Sequence, residues 1–181
     1  MLKAEFPLNL ENEKATYDLG IGSIQRGNNT ETAYEVYAQY WADLTDRDGS
    51  YGVSVMNDSK YGWDKPDNHT IRLTLLHTPE TRGGYAYQDH QDLGHHTFTY
   101  SLIPHQGALD KPATVEKAEK LNQQLKAFRT EKHKGNAGKS FSFVASDNRN
   151  VLIKALKKAE ETDEYVAVSY THLTLPTKLE V

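Results

Sequence analysis

Four histidines, His90, His95, His96 and His105, fall within sixteen positions of this 181-residue chain. Imidazole is the commonest metal ligand, so the cluster is the first place to look for chemistry. On a strand, His96 shares a face with Phe98 and Tyr100, whereas His95 shares one with Thr97 and Thr99. Adjacent histidines therefore point apart and do not converge on one ion. Neither an H-x-H pair with a downstream Glu nor an H-E-x-x-H spacing occurs. The expectation is strand-end histidines bonded to backbone, with no metal site; a small metal-dependent β-barrel enzyme using these four residues is the minor alternative. Glycoside chemistry would need two carboxyl groups about 5–10 Å apart, one of them held protonated. The candidates Asp43, Asp58, Asp64, Asp89 and Asp92 all sit near turn signals, where capping and solvation are the ordinary duties of Asp. Ser101 and Ser142 lie in alternating stretches without a nucleophile-elbow turn, and no glycine loop sits between a strand and a helix to cradle phosphate. Nothing in these patterns promotes one of the carboxylates or serines to a catalyst.

A second chemical feature is the stretch YGVSVMNDSKYGWD, residues 51–64. Here alternating apolar residues run into a polar turn with Asn57, Asp58, Lys60 and Tyr61, followed by Trp63. Between two strand-like segments it reads as the tip of a hairpin.

The elements that would position such groups are mainly strands. Tyr34, Val36, Ala38 and Tyr40 alternate with Glu35, Tyr37 and Gln39; Ile71, Leu73 and Leu75 alternate with Thr70, Arg72 and Thr74; Phe98, Tyr100 and Leu102 repeat the pattern. Further strands are expected over 51–56, 139–145 and 164–168, all rich in aromatic or β-branched residues, and over the first half of 151–159. Turn signals at 47–49, 65–68, 82–84 and 134–136 separate them. One segment differs: from Pro112 to Phe128 the apolar residues Val115, Ala118, Leu121, Leu125 and Phe128 recur every three or four positions. Pro112 and Thr114 mark its start, so one amphipathic helix is expected. The fold class is mainly β, an antiparallel sandwich with a single helix, in one domain without an internal repeat.

Composition narrows the function classes. A net charge of −4 argues against a nucleic-acid surface, which must neutralise phosphates with clustered Lys and Arg. Hydrophobic content is 37% and mean hydropathy −0.74, and no run approaches the roughly 20 apolar residues of a membrane helix. The first twenty residues show no charged start followed by a long apolar run, so no secretory leader is expected and the N-x-T sequons at Asn28 and Asn68 are read as chemically silent. There is no cysteine, which removes disulfides and thiolate metal sites and leaves packing as the source of stability. A cytoplasmic location is expected.

Several stretches, in order and spacing, carry a resemblance: WADL at 41–44, YGVSVMNDSKYGWD at 51–64, IRLTLLHTP at 71–79 and GHHTFTYSLIPHQG at 94–107. They are supported by FPL at 6–8, ATYDLGIGSIQR at 15–26, SFSFVAS at 140–146 and VLIKALKKAEE at 151–161. Together, over about Ala4 to Val168, they resemble the carboxy-terminal β-sandwich region of glycoside hydrolase family 38 α-mannosidases. The resemblance implies a sandwich of the galactose-mutarotase-like supersandwich type. It also implies a non-catalytic portion of a retaining enzyme acting on terminal α-mannosides, whose zinc ion and two catalytic carboxylates belong to an absent catalytic domain. The partners implied are the catalytic and helical domains of the same enzyme and α-mannoside glycans. The Asn57–Tyr61 turn matches one that reaches toward the sugar site. Asn57 and Asp58 would hold its shape through Asx-type bonds, leaving Lys60 or Tyr61 for a sugar hydroxyl or a neighbouring domain; a turn touching only its own domain is the plain alternative. Trp41 reads as core or interface, and Trp63 as packing on sugar or on protein.

The resemblance stops after Val168. Residues 169–181 resemble the translation of sequencing-adapter DNA and are set apart from functional reasoning, although Thr171, Leu173 and Leu175 alternate well enough to pair with a sheet edge or else form a loose tail ended by Pro176. The rival function is a free-standing carbohydrate-binding module, which needs surface aromatics arranged as a platform.

Overall fold

The computed structural model describes residues 1–79 and 93–171. The expected turn at 82–84, His90, Asp89, Asp92 and residues 172–181 lie outside the described residues. Eleven strands and one helix are described: β1 (Leu2–Pro7), β2 (Ala15–Asp18), β3 (Ser23–Arg26), β4 (Val36–Tyr37), β5 (Trp41–Thr45), β6 (Tyr51–Asn57), β7 (Gly62–Asp64), β8 (Thr70–Leu76), β9 (Tyr100–Gln106), α1 (Lys111–Asn122), β10 (Val151–Lys158) and β11 (Tyr165–Thr171). They form a four-stranded sheet in the order β1-β8-β7-β4, a five-stranded sheet in the order β3-β2-β5-β6-β9 and the two-stranded β10-β11. Every strand pair is antiparallel.

The period-two pattern builds the sandwich. Phe6, Trp63, Ile71 and Leu73 of the four-stranded sheet pack with Tyr17, Ala42, Leu44, Val53 and Val55 of the five-stranded sheet in one buried cluster. Each such side chain removed from water contributes about 1.5–3 kcal/mol before entropy is counted. The other face of the five-stranded sheet is covered as well. Trp41 and Met56, directly paired across β5 and β6, lie beneath Val115 and Ala118 of α1, with Ile103, Leu121 and Leu152 around them. Both faces of β6 are therefore buried, which is why Gly52 through Asn57 are all inaccessible.

Helix α1 starts at Lys111, one residue before the expected start at Pro112. Asp110 caps it by accepting the Ala113 amide at 3.2 Å, and Pro112 sits in the first turn, where a missing N–H costs nothing. It ends at Asn122, not Phe128. The Asn122 side-chain Nδ2 donates to the Ala118 carbonyl at 2.9 Å and to the Asn57 carbonyl at 3.1 Å, so it ties the last turn to the sheet instead of extending it. Leu125 and Phe128 then stand in solvent.

Three other expectations shift. The Tyr34–Tyr40 stretch is split, because the chain leaves the four-stranded sheet after β4 and joins the five-stranded sheet at β5. The Ala38 amide bonds to the Tyr61 carbonyl on one side of the crossing, and the Gln39 amide bonds to the Asp18 carbonyl on the other. Residues 139–145 form no strand; among the described residues no strand pairs with the alternating Ser-Phe-Ser-Phe, and a lone strand leaves its backbone groups to water. Conversely β10 is a strand throughout, and β11 runs past Val168, pairing Ser169, Tyr170 and Thr171 with Ile153, Leu152 and Val151.

At one end of the sandwich Lys65 is 1% exposed. Its ammonium donates to the Asn12 carbonyl at 2.6 Å, the Asn28 Oδ1 at 2.7 Å and the Asp67 carbonyl at 2.5 Å. Asn28 in turn donates to Asn68 Oδ1 at 2.7 Å, so both sequon asparagines are engaged in this knot.

Candidate functional site

The polar turn after β6 is not a hairpin tip: β6 and β7 belong to different sheets, and residues 58–61 carry the chain across the edge of the sandwich. Asn57 shapes the crossing. It is 1% exposed, and its Oδ1 accepts the Ser59 amide at 3.0 Å and the Lys60 amide at 2.5 Å, the Asx-type bonding that a short polar side chain offers. Its amide nitrogen is buried without a partner among the described residues. Asp58 joins the turn to the chain entering β9: its backbone N–H donates to the Thr99 carbonyl at 3.2 Å, and its Oδ1 accepts the Thr99 N–H at 3.4 Å and the Ser59 hydroxyl at 2.9 Å. Partial burial pushes its carboxyl up, but the Thr99 and Ser59 hydrogen bonds outweigh this and hold it below the usual carboxylate value.

The turn presents Asp58, Ser59 and Tyr61 to solvent, while Lys60 is half-buried. The Lys60 ammonium lies 4.7 Å from the centroid of Phe98, which itself stacks on His96 at 5.9 Å. Tyr61 is 50% exposed and stacks on Tyr37, which is 46% exposed, with centroids 6.2 Å apart and planes 25° from parallel. The Tyr37 hydroxyl donates to Gln39 at 2.8 Å. The pair forms a small aromatic ledge from two elements, each ring about half exposed. Tyr37 stood on the polar side of the Tyr34–Tyr40 alternation, and an aromatic on a solvent face was the signal available for it. Trp63, by contrast, is fully buried in the intersheet core. Its indole packs on protein, not on sugar, because β7 is the third strand of a sheet whose inner face it shares with Leu73, its direct cross-strand partner. Trp41 likewise lies in the core beneath α1.

The histidines separate. His95 is exposed, His96 sits in the stack beside Lys60, and His105 projects from β9 onto β5. Among the described residues no group of three or more His, Asp and Glu is arranged to hold a metal ion. His105 enters a cluster that its spacing in sequence hid. Asp43, 1% exposed, accepts from Ser54 Oγ at 2.7 Å and His105 Nε2 at 2.9 Å on Oδ2, and from Thr45 Oγ1 at 2.6 Å on Oδ1. His105 Nδ1 meets the Gly107 carbonyl at 3.1 Å.

Ser, His and Asp are all present, yet the order is wrong for nucleophilic catalysis. A serine nucleophile needs the histidine as its base, with the carboxylate behind the histidine. Here Ser54 and His105 both bond to the carboxylate, so the hydroxyl has no base. The cluster borders a polar cleft of ≈ 380 Å³ lined by Lys14, Gln25 and Arg47 among others. Asp43 offers that cleft little, since both its oxygens already accept. Asp64 is similarly engaged, with Arg72 Nε at 2.6 Å, Asn29 Nδ2 at 3.3 Å and the Lys3 ammonium. These buried carboxylates hold strands together.

Comparison with known proteins follows the same lines. Residues 1–81 match the model of the glycosyl hydrolases family 38 C-terminal domain. The chain is 31% identical over 169 residues to mouse alpha-mannosidase 2C1, covering 91% of this chain and 15% of the relative. It is 33% identical over 177 residues to the alpha-mannosidase of Saccharomyces cerevisiae, covering 94% of this chain and 15% of that protein. A crystal structure of an alpha-mannosidase from Enterococcus faecalis V583 superposes with a TM-score of 0.77 at 20% identity, over 93% of this chain and 20% of that one. The chain thus spans about 15% of the length of the curated relatives it matches.

Proposed function

We propose that this chain, a homologue of the C-terminal domain of glycoside hydrolase family 38 α-mannosidases, is the non-catalytic carboxy-terminal part of a retaining enzyme that hydrolyses terminal α-mannosides. It packs on the catalytic portion and helps to complete its site. The observation that carries this reading is the pairing of two coverages: the match runs through 91–94% of this chain but occupies only 15% of each relative. The internal chemistry agrees, since each buried carboxylate described above is consumed by structural bonds. The zinc ion and the catalytic carboxylates belong, in this reading, to the larger part of the enzyme. A reducing, cytoplasmic setting is part of the proposal and accords with a chain without cysteine.

The turn supplies the contact. Asn57 and Asp58 fix its backbone, and Lys60 with Tyr61 faces the sugar or the adjoining domain, Tyr37 widening the apolar ledge. The distal half of the β10-β11 hairpin supplies further surface, with Leu156, Val166 and Val168 each about two-fifths exposed. A two-stranded sheet is marginal alone in water and needs a body to lie against.

The Tyr37–Tyr61 pair also favours a second reading, a module that binds glycans unaided. Calorimetric titration of the purified chain with mannose and short α-mannosides, beside an α-mannosidase assay with added zinc, separates the two. Neither binding nor turnover is expected. Micromolar to low millimolar binding without turnover would favour the module, and turnover would overthrow both.

A further inference from the structure

Residues 123–150, between α1 and β10, contain no helix or strand. Loops longer than about 12–15 residues without secondary structure are uncommon in compact domains and usually functional. This one carries three of the chain's five phenylalanines, and all of them face solvent: Phe128 is 82% exposed, Phe141 63% and Phe143 85%, with Leu125 fully exposed as well. Phe141 and Phe143 meet edge to face at 4.9 Å, a preformed pair that stays largely exposed. Exposed apolar groups concentrated in this way mark an interaction site.

Charge sharpens the reading. The segment holds six Lys and Arg against only Glu131 and Asp147, a local excess of +4 in a chain whose net charge is −4. Arg149 is paired with Asp110, while the remaining cations of the segment have no ion pair among the described residues. The segment is apolar and cationic at once, so its complement is an apolar surface carrying carboxylates.

Two facts identify the occupant. Matches covering 91% and 94% of this chain extend across this 28-residue stretch, so the segment lies inside the region matched to the mouse and yeast relatives. Those relatives also carry a far larger polypeptide beyond the matched part. On the reading that this chain is part of such an enzyme, we infer that residues 123–150 are the docking segment for the rest of the α-mannosidase polypeptide, with Phe128, Phe141 and Phe143 as its anchors.

The test uses the whole chain and the triple variant F128S/F141S/F143S, which alters only exposed side chains and is required to match the wild-type circular dichroism and Tm. Each is co-expressed with the yeast α-mannosidase from which the matching segment has been deleted. The acceptor is one that its own excised segment rescues when supplied as a separate chain, so failure to fold is controlled. The wild-type chain is expected to co-purify with the acceptor. The triple variant is expected to bind on the order of a hundredfold or more weakly, as three central aromatic anchors imply. Equal co-purification of both chains would overturn the docking segment while leaving the proposed function standing. No co-purification of the wild type would overturn both. Loss of binding to anionic phosphatidylserine vesicles in the variant, with no effect on the acceptor, would assign the segment to a membrane surface and overturn the inference.

Discussion

Gly52 permits the Asp43 cluster to exist, and replacing it with alanine isolates that role. Gly52 lies opposite His105 in the β6-β9 ladder, and the imidazole leans across it to reach Asp43 on β5. A Cβ built at position 52 would stand 2.4 Å from His105 Cε1, 2.5 Å from Nε2 and 2.8 Å from Thr45 Oγ1. Real Cβ atoms do not approach so closely, and the backbone around β6 is held from both faces, so the imidazole must leave. Two costs follow: overpacking of about 1–3 kcal/mol, and loss of a hydrogen bond to a buried carboxylate, about 1.5–3 kcal/mol. Because moving the ring relieves the first as it incurs the second, Gly52→Ala should cost roughly 2–4 kcal/mol in total. His105→Ala should cost about 1.5–3 kcal/mol, leaving Asp43 with Ser54 and Thr45. In that background Gly52→Ala meets no ring and only the Thr45 hydroxyl at 2.8 Å, so its cost should shrink to about 1 kcal/mol or less, helped by the roughly 0.5–1 kcal/mol that glycine inside a strand costs relative to alanine. Urea unfolding of the wild type, both single variants and the double variant gives the cycle, with Tm falling roughly 5–10 °C for Gly52→Ala. Additive effects, or a silent Gly52→Ala in the wild type, would refute the claim that the glycine makes room for His105.

Lys65→Met removes a donor from three acceptors at once and should destabilise by roughly 2–4 kcal/mol, read as a lower urea midpoint with unchanged m. Asp110→Ala removes the cap of α1 and should cost about 1 kcal/mol at neutral pH. The Ala113 amide, against partial burial and helped by Arg149, holds the Asp110 carboxyl below its usual value. Its contribution is therefore present above the ordinary Asp value near about 4 and lost as pH falls through the lower folded value, so the gap between wild type and variant should close on acidification. A chain ending at Val168 should be less stable than one ending at Thr171 by roughly 1–2 kcal/mol, because Ser169 to Thr171 pair with the strand whose Leu152 lies on the second core; equal Tm values would contradict this.

Part of the sandwich was legible because one face of an inner strand is apolar: Val53 and Val55, Ile71 and Leu73 are where period two put them, and all are buried, whereas the β5 strand with Ala42 and Leu44 was not read from periodicity. What failed was reach. The helix spacing continued through Leu125 and Phe128, yet spacing does not reveal that Asn122 turns back to bond with Asn57. Residues 139–145 have strand-like composition, but a strand needs a partner and composition does not say whether one is near. Local sequence could not tell that β6 and β7 lie in different sheets, so a crossing looked like a hairpin. The Asp43–Ser54–His105 cluster spans 62 positions between its ends. Its traces were faint: polar residues on the second face of buried strands, and a glycine inside a strand, which often marks close approach.

The most direct measurement is α-mannosidase turnover by the purified chain alone and by the same chain co-expressed with the yeast enzyme lacking its matching segment. The account predicts no turnover by the chain, none by the acceptor, and activity when both are present. Turnover by the chain alone, or an acceptor restored by its own excised segment but never by this chain, would contradict it.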